Sequence, residues 1–220
     1  MEGESIVIFI KTGDMIVYSI VIDGYKVKDC NITHKLLLEK GIEHIDVFCW
    51  THPDKDHSIG IEEYIPFIDK ESLIIIGDGF LEIKEEWQNA NEKMYFFIEN
   101  ELRKDIRMKN KVTVRKVCTG LILKKISFQD VNTGINYLFQ LHAFAPSDYL
   151  NLRGNINEKT LIKNNISVGL DLTIGNVSVI FGGDVPNAVF HAISEDEIPE
   201  FVDYIKIAHH CSLSSDKVLH

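Results

Sequence analysis

The chain has 220 residues, of which 45% are hydrophobic and 25% charged, and its formal net charge is -10. This length and composition suit one well-buried core and exclude a chain that is disordered throughout. The acidic balance argues against non-specific binding to nucleic acid or to an anionic membrane, although bound metal can supply positive charge for an anionic substrate. We therefore predict a single domain over residues 1–220.

The cysteines and the N-terminus give no sign of an extracellular or membrane protein. Cys30, Cys49, Cys118 and Cys211 lack metal-finger spacing, and a chain so rich in apolar residues needs no disulfide framework. The acidic N-terminus differs from a signal peptide, and the apolar runs are only as long as strands. We expect a cytoplasmic protein without membrane contact.

In the first half of the chain, short apolar runs alternate with turn residues. Thr12-Gly13-Asp14 separates two β-branched runs and predicts a hairpin. Asn31 is a typical helix N-cap and Gly41 a typical helix stop, so a helix is predicted between them. The predicted strands are 5–10, 15–23, 45–50 and 72–76, and the predicted helices are 31–41, 61–67 and 80–109.

Strand patterns dominate the second half, where strands are predicted at 112–117, 120–128 and 137–144. From 166 to 174 every second residue is apolar, which predicts a strand with one buried face. Gly175-Asn176 then predicts a hairpin turn into a strand at 177–181. A loop is predicted at 150–165, a helix at 187–193 and a final buried strand at 204–208. Strands outnumber helices, which indicates an α/β (α+β) class with a sheet-on-sheet core.

A cluster of histidine and aspartate follows the predicted strand 45–50 at once. His52, Asp54, Asp56 and His57 lie within six residues, and Pro53 stiffens the turn. Neutral imidazoles together with carboxylates suit Zn, Mn or Fe better than Ca or Mg. The alternative is a solvated polar loop with a helix-capping aspartate. Four such residues so close together favour a metal site.

Two later segments place similar side chains after predicted strands. Gly182-Gly183-Asp184 closes one apolar strand, and His209-His210 follows the last one. If each segment is considered alone, a structural turn aspartate and two core or surface histidines are as good an interpretation as metal ligands. Because strand ends can converge on one edge of a sheet sandwich, the three sets together predict a two-metal site.

The order of these motifs resembles that of the metallo-β-lactamase fold hydrolases, whose signature is H-x-H-x-D-H. Here Asp54 replaces the second His, as in the subgroup resembling the DNA-uptake competence protein ComEC, with its form S-H-P-D-x-D-H-x-G-G. The present chain reads T-H-P-D-K-D-H-S-I-G over 51–60. Further segments with a counterpart in that subgroup are Gly13-Asp14, Ile22-Asp23-Gly24, 164–168, 181–184 and 205–212.

This resemblance implies a four-layer αβ/βα sandwich, either C-terminally shortened at His220 or naturally minimal, with one or two divalent ions at one edge. His52 and Asp54 would bind the first ion, assisted by Asn165 or a water. Asp14 would support the site from outside. The expected cofactor is Zn or Mn, and the replacement of imidazoles by carboxylates shifts the preference towards Mn.

The resemblance also implies ligands for a second ion. Asp56 and His57 would bind it together with one of His209 and His210, of which His210 is favoured. Asp184 would bridge the two ions. Asp56 and Asp184 are therefore the candidate catalytic residues.

Members of that family cleave lactams, thioesters, lactones and phosphodiesters, and the ComEC-like form implies a phosphodiester. Basic side chains between 103 and 116 could steer a phosphate backbone, or could form an ordinary solvated face. The prediction is therefore a metal-dependent phosphodiesterase or nuclease that acts on an anionic substrate, and nucleic acid is one candidate. The alternatives are a hydrolase of another small ester, lactone or amide, and a metal-free, non-catalytic module. The basic residues are Arg103, Lys104, Arg107, Lys109, Lys111, Arg115 and Lys116.

Overall fold

A computed structural model describes residues 3–105, 107–147, 163–193 and 202–206. These residues form a mixed α/β structure with two five-stranded sheets, a two-stranded ribbon and short helices, as the predicted α+β class requires. None of the described helices has the length and apolarity needed to span a bilayer.

The chain divides into two compact units, so the single domain stays a prediction. The first unit comprises Met1–Lys11, Ile16–Ile76 and Phe80–Lys116, and the second comprises Thr12–Met15, Gly77–Gly79 and Val117–His220.

The first unit holds most of a sheet in which the central strands run parallel. Its strands are β1 (Ile6–Thr12), β2 (Met15–Ile22), β5 (Val47–Trp50), β6 (Leu73–Gly77) and β7 (Thr113–Val117). They lie in the order β1-β2-β5-β6-β7, and β5 pairs in parallel with both β2 and β6. The carboxyl ends of β2, β5 and β6 therefore meet at the same edge. A separate ribbon consists of β3 (Lys26–Val27) and β4 (Cys30–Asn31).

The helices of this unit are α1 (Ile32–Glu39), α2 (Lys55–Ser58), α3 (Lys84–Ala90) and α4 (Glu92–Arg103), and asparagine side chains cap the start of α1 and of α4. Asn31 Oδ1 accepts a hydrogen bond from the His34 amide at 3.0 Å, and Gly41 follows α1 with a φ of +65°. The single helix predicted at 80–109 is wrong, because Asn91 ends α3 and caps α4 through the Met94 amide. An asparagine that bonds to the backbone in this way competes with a continuous helix. The predicted helix at 61–67 is a 3₁₀ helix.

Aromatic side chains form the core on which β5 rests. All four residues of β5 are fully buried. The Trp50 ring meets the edge of Trp87 with 4.7 Å between ring centroids, and Phe80 lies 5.0 Å from Trp87 and stacks on Tyr95. Burial on this scale makes the end of β5 a rigid base for the residues that follow it.

The second unit contains the other five-stranded sheet. Its strands are β8 (Leu121–Gln129), β9 (Asn136–Ala145), β10 (Gly169–Ile174), β11 (Val177–Phe181) and β12 (Tyr204–Lys206), in the order β12-β11-β10-β9-β8. The predicted hairpin between β10 and β11 is confirmed, with Ile174 opposite Val177. The short helix α5 (Asn187–Phe190) contributes Val189 to a cluster with Phe144, Ile180 and Val185.

Two predictions for this unit are wrong. Residues 166–168 do not belong to β10, because a 3₁₀ helix extends over Lys163–Ile166 and the strand begins only at Gly169. The last strand is not buried, since Tyr204 is 67% and Ile205 37% exposed. Within the described residues β12 is an edge strand, so it has a neighbour on one side only.

Gly60, three residues after His57, is closely packed against the ribbon of β3 and β4. Its φ is +95°, and an added Cβ would lie 2.9 Å from the Lys26 Cβ and 3.0 Å from Asn31 Nδ2. We expect Gly60→Ala to lower the free energy of unfolding by roughly 2–5 kcal/mol, the sum of backbone strain and overpacking. Gly41→Ala is the control, because its φ is +65° with nothing within 4 Å. It should cost only the strain, roughly 1–2 kcal/mol. Urea unfolding measures both, and equal losses would contradict the packing argument.

Candidate metal centre

The candidate site of the first unit begins where two parallel strands end side by side. Ile22, the last residue of β2, lies opposite Cys49 of β5, and the Asp23 amide donates to the Cys49 carbonyl at 2.8 Å. Asp23 therefore lies next to Thr51, the first residue after β5. Burial and the nearby Asp23 carboxylate raise the pKa of the Cys49 thiol, so this cysteine is a neutral core residue and not a thiolate ligand.

Asp23 is a fully buried carboxylate that three donors surround. Its Oδ1 accepts from the Thr51 amide at 2.7 Å, and its Oδ2 accepts from Thr51 Oγ1 at 2.6 Å and lies 2.8 Å from His57 Nδ1. A carboxylate only accepts hydrogen bonds, so Nδ1 of His57 must carry the proton. The other ring nitrogen, Nε2, is then the one with a lone pair for a metal ion.

The same carboxylate also sets the tautomer of His52, through Thr51. Thr51 Oγ1 gives its single proton to Asp23, so towards His52 Nδ1, 3.0 Å away, it can only accept. Nδ1 of His52 is therefore protonated, so Nε2 is the ring nitrogen that carries the lone pair. One aspartate thus makes Nε2 the nitrogen that could bind metal in both buried imidazoles.

The spacing of the donor atoms fits a metal ion. His52 and His57 are fully buried, their ring centroids lie 4.3 Å apart, and their ligand atoms lie within 4.8 Å of each other. Two ligands of a tetrahedral ion with bonds of about 2.0–2.1 Å lie about 3.3–3.4 Å apart. The His52 Nε2 and Asp54 Oδ2 atoms are 3.5 Å apart, close to this value. The residue types and the donor spacing therefore agree with the predicted metal site.

Asp54 and Asp56 lie in the short segment between the two histidines. Asp54 is the N-cap residue of α2, but its side chain does not cap the helix and lies instead beside His52. The alternative of a helix-capping aspartate therefore does not describe Asp54. Asp56 is half-buried within α2. Neither aspartate belongs to a group of three described ligand atoms within 4.8 Å of one another.

The other expected ligands belong to the second unit. Asp184 follows β11 and is 3% exposed, and its amide donates to Ser167 Oγ at 2.9 Å. Asn165 is half-buried in the 3₁₀ helix just before Ser167. His209 and His210 lie outside the described residues. Asp184, like the histidines of the first unit, is thus buried and offers a ligand atom that can bind metal.

Sequence reasoning missed two residues of the site, Asp23 and Glu4. Asp23 had a signal, because it follows a buried strand and belongs to the D-G-G segment of the resemblance, but no role was assigned to it. Glu4 had none. Its carboxylate lies with Asp23 and His57 in a group whose ligand atoms are all within 4.8 Å, and its amide donates to the Asp56 carbonyl at 2.8 Å. Asp14, expected to support the site, is exposed in the turn between β1 and β2.

The sequence matches no protein-family model, and a search of curated proteins finds no match. Assignment to the metallo-β-lactamase fold therefore rests on the motifs alone and stays a prediction.

We expect Glu4→Gln to weaken metal binding without unfolding the protein. The change keeps the size of the side chain and removes a negative charge beside His57, so the affinity for Mn²⁺ should fall about 10-fold. Glu39→Gln, at an exposed position of α1, is the control. Calorimetric titration of metal into chelator-treated protein measures both. Equal affinity in the two variants would show that Glu4 has no part in the site.

Three of the seven side chains of the basic stretch form ion pairs with acidic neighbours. Arg107 holds the pKa of Asp105 down to about 2 through a side-chain hydrogen bond. Such local pairing offsets the positive charge that would steer a phosphate backbone, and it favours the alternative of a solvated face. The ion pairs are Arg103–Glu99, Lys104–Glu101 and Arg107–Asp105.

Proposed function

We propose that the chain is a metal-dependent hydrolase of the metallo-β-lactamase fold, with a phosphodiester as its substrate. One observation supports this most: the Asp23 carboxylate, directly and through Thr51, occupies Nδ1 of both buried histidines, so that Nε2 is the nitrogen of each ring that can bind metal. A purely structural histidine pair does not need two matched tautomers, whereas two metal ligands do.

The proposed ligands fall into two sets within the motif. His52 Nε2 and Asp54 Oδ2 would hold one ion, and His57 Nε2 with Asp56 would hold the other, with Zn or Mn as the metal. On the grounds of sequence resemblance alone, Asp184 remains the proposed bridging carboxylate. A divalent ion held there would supply activation of water for hydrolysis at neutral pH.

The residues of the chain itself would orient the histidine ligands and supply the negative charge that balances the metal. Asp23 fixes the direction of the His57 ring, and Thr51 does the same for His52. Asp54 and Asp56 contribute negative charge that attracts a cation and repels a substrate anion unless a metal is bound. Activity should therefore depend entirely on the metal.

The substrate class follows from the ComEC-like form of the motif and from the charge of the surface. The form favours a phosphodiester. Within that class, a net charge of -10 and the pairing of three of the seven basic side chains with acidic neighbours favour a small phosphodiester over a long nucleic acid. The alternatives remain a hydrolase of another ester, lactone or amide, and a non-catalytic module of the same fold.

A substrate panel distinguishes these functions. The protein is assayed with Mn²⁺ or Zn²⁺, and with chelator, on bis-p-nitrophenyl phosphate, single-stranded DNA, a lactone and a β-lactam. We expect metal-dependent cleavage of the phosphodiester and none with chelator. Turnover of only the lactone or the β-lactam would support the second function. Absence of both turnover and bound metal would identify a non-catalytic module.

A further inference from the structure

Ser58, the residue after His57, is fully buried and links the motif to the end of β5. Trp50 Nε1 donates to Ser58 Oγ at 2.9 Å, and Ser58 Oγ donates to the Asp54 carbonyl at 2.6 Å. Because a hydroxyl has a single proton and the indole can only donate, the direction of both bonds is settled. The hydroxyl therefore joins the indole of Trp50 to the backbone of Asp54.

Through the Asp54 carbonyl, the link restrains the backbone of the turn between Asp54 and His57. The carbonyl accepts from the His57 amide at 3.1 Å as well as from Ser58 Oγ. The Asp54 side chain leaves the backbone at one end of this turn and the His57 side chain at the other. Moving that carbonyl would change the separation between Asp54 and His57.

Both sides of the link are anchored in well-packed structure. The Trp50 ring is itself held by the edge of Trp87, at 4.7 Å between centroids. On the other side, Asn91 Nδ2 donates to the Ser58 carbonyl at 2.9 Å and to Glu62 Oε2 at 2.6 Å, while its Oδ1 caps α4. The turn is thus clamped between β5 and the start of α4.

We propose that Ser58 is a positioning residue of the metal centre, which sets metal affinity through the Trp50–Ser58–Asp54 link. The inference rests on the proposed function, because it concerns the same site. The link reaches Asp54 at its backbone carbonyl and not at the side-chain oxygen proposed to bind metal. Its effect is to hold the His52–Asp54 pair and His57 at the separation that binding requires, so that less order has to be gained when the ion enters.

Ser72 offers a matched control within the same unit. It is 1% exposed, its Oγ donates to the Ile45 carbonyl at 2.7 Å, and it accepts from the Asp69 amide at 3.0 Å. It thus has the same burial and the same two-bond pattern as Ser58, but it precedes β6 instead of following β5. Alanine at either position should remove similar stability, whereas only Ser58 should affect metal binding.

The test is calorimetric titration of Mn²⁺ and Zn²⁺ into chelator-treated full-length protein. We expect Ser58→Ala to weaken affinity about 10- to 100-fold, Ser58→Thr to retain it, and Ser72→Ala to leave it within about twofold of the wild type. Trp50→Phe removes the same hydrogen bond from the other side and should weaken binding similarly, with little further loss in the double variant. This variant decides the matter if Ser58→Ala does not fold.

Different outcomes would overturn the proposed metal-dependent function and the positioning role of Ser58. A wild-type protein that binds neither metal would overturn the proposed function and this inference with it. A wild type that binds metal, with Ser58→Ala or Trp50→Phe no weaker than Ser72→Ala, would overturn the positioning role alone.

Discussion

Replacing His57 with alanine is expected to abolish stable metal binding and all metal-dependent hydrolysis. The substitution removes the buried Nε2 atom that is proposed to bind the metal. It also takes one of three donors away from the buried carboxylate of Asp23. A buried acceptor that loses a partner costs roughly 1–3 kcal/mol, so the variant should fold but be less stable. Metal content after chelator-free purification and turnover on bis-p-nitrophenyl phosphate are the measurements.

His44→Ala is the matched control for this change. His44 belongs to the same unit, precedes β5 instead of following it, and has carboxylate neighbours of its own in Asp46 and Asp69, at 3.7 and 3.2 Å. Its loss should leave metal content unchanged. If His57→Ala retained as much metal as His44→Ala, the ligand set proposed here would be wrong.

Asp23→Asn should cause the second largest effect, although Asp23 is not proposed to bind metal. Three donors converge on this side chain: the Thr51 amide, the Thr51 hydroxyl and His57 Nδ1. An asparagine offers one acceptor oxygen and an NH₂ group, so at least one donor would face another donor. We expect the free energy of unfolding to fall by roughly 1–3 kcal/mol. Metal affinity should fall about 10- to 100-fold, because both histidine tautomers lose their support.

Asp46→Asn separates loss of stability from loss of the site. Asp46 Oδ2 accepts from the Ser19 amide at 2.8 Å and from Ser19 Oγ at 3.2 Å, which repeats the amide-plus-hydroxyl pattern of Asp23 and Thr51 at the opposite end of the β2–β5 pair. We expect this variant to lose stability while keeping its affinity for metal. Equal affinity losses in the two variants would assign the effect to general destabilisation. Urea unfolding and calorimetric titration on the same preparations provide the comparison.

Much of the local structure could be predicted from the residues alone. Asn31 and Gly41 mark the two ends of α1 because capping and a left-handed backbone depend on a few consecutive residues. The strands β1, β2, β5, β6 and β7 could be predicted to within a few residues, because short β-branched runs bounded by turn residues favour buried strands. The one long helix predicted at 80–109 failed at Asn91, where a local cap outweighed the helical pattern on both sides.

In the candidate site, too, features of neighbouring residues could be predicted, whereas contacts between residues far apart in the chain could not. The sequence by itself determined the cluster from His52 to His57, its position after a buried strand and its metal-binding residue types. Only the tertiary structure decided that Asp23, which precedes Thr51 by 28 and His57 by 34 residues, sets both histidine tautomers. It also decided that Glu4 lies beside His57, and that Ser58 joins Trp50 to the turn. Composition and periodicity act over a few residues, whereas these contacts depend on the parallel register of β2 and β5 and on side chains that become neighbours only when the strands pair.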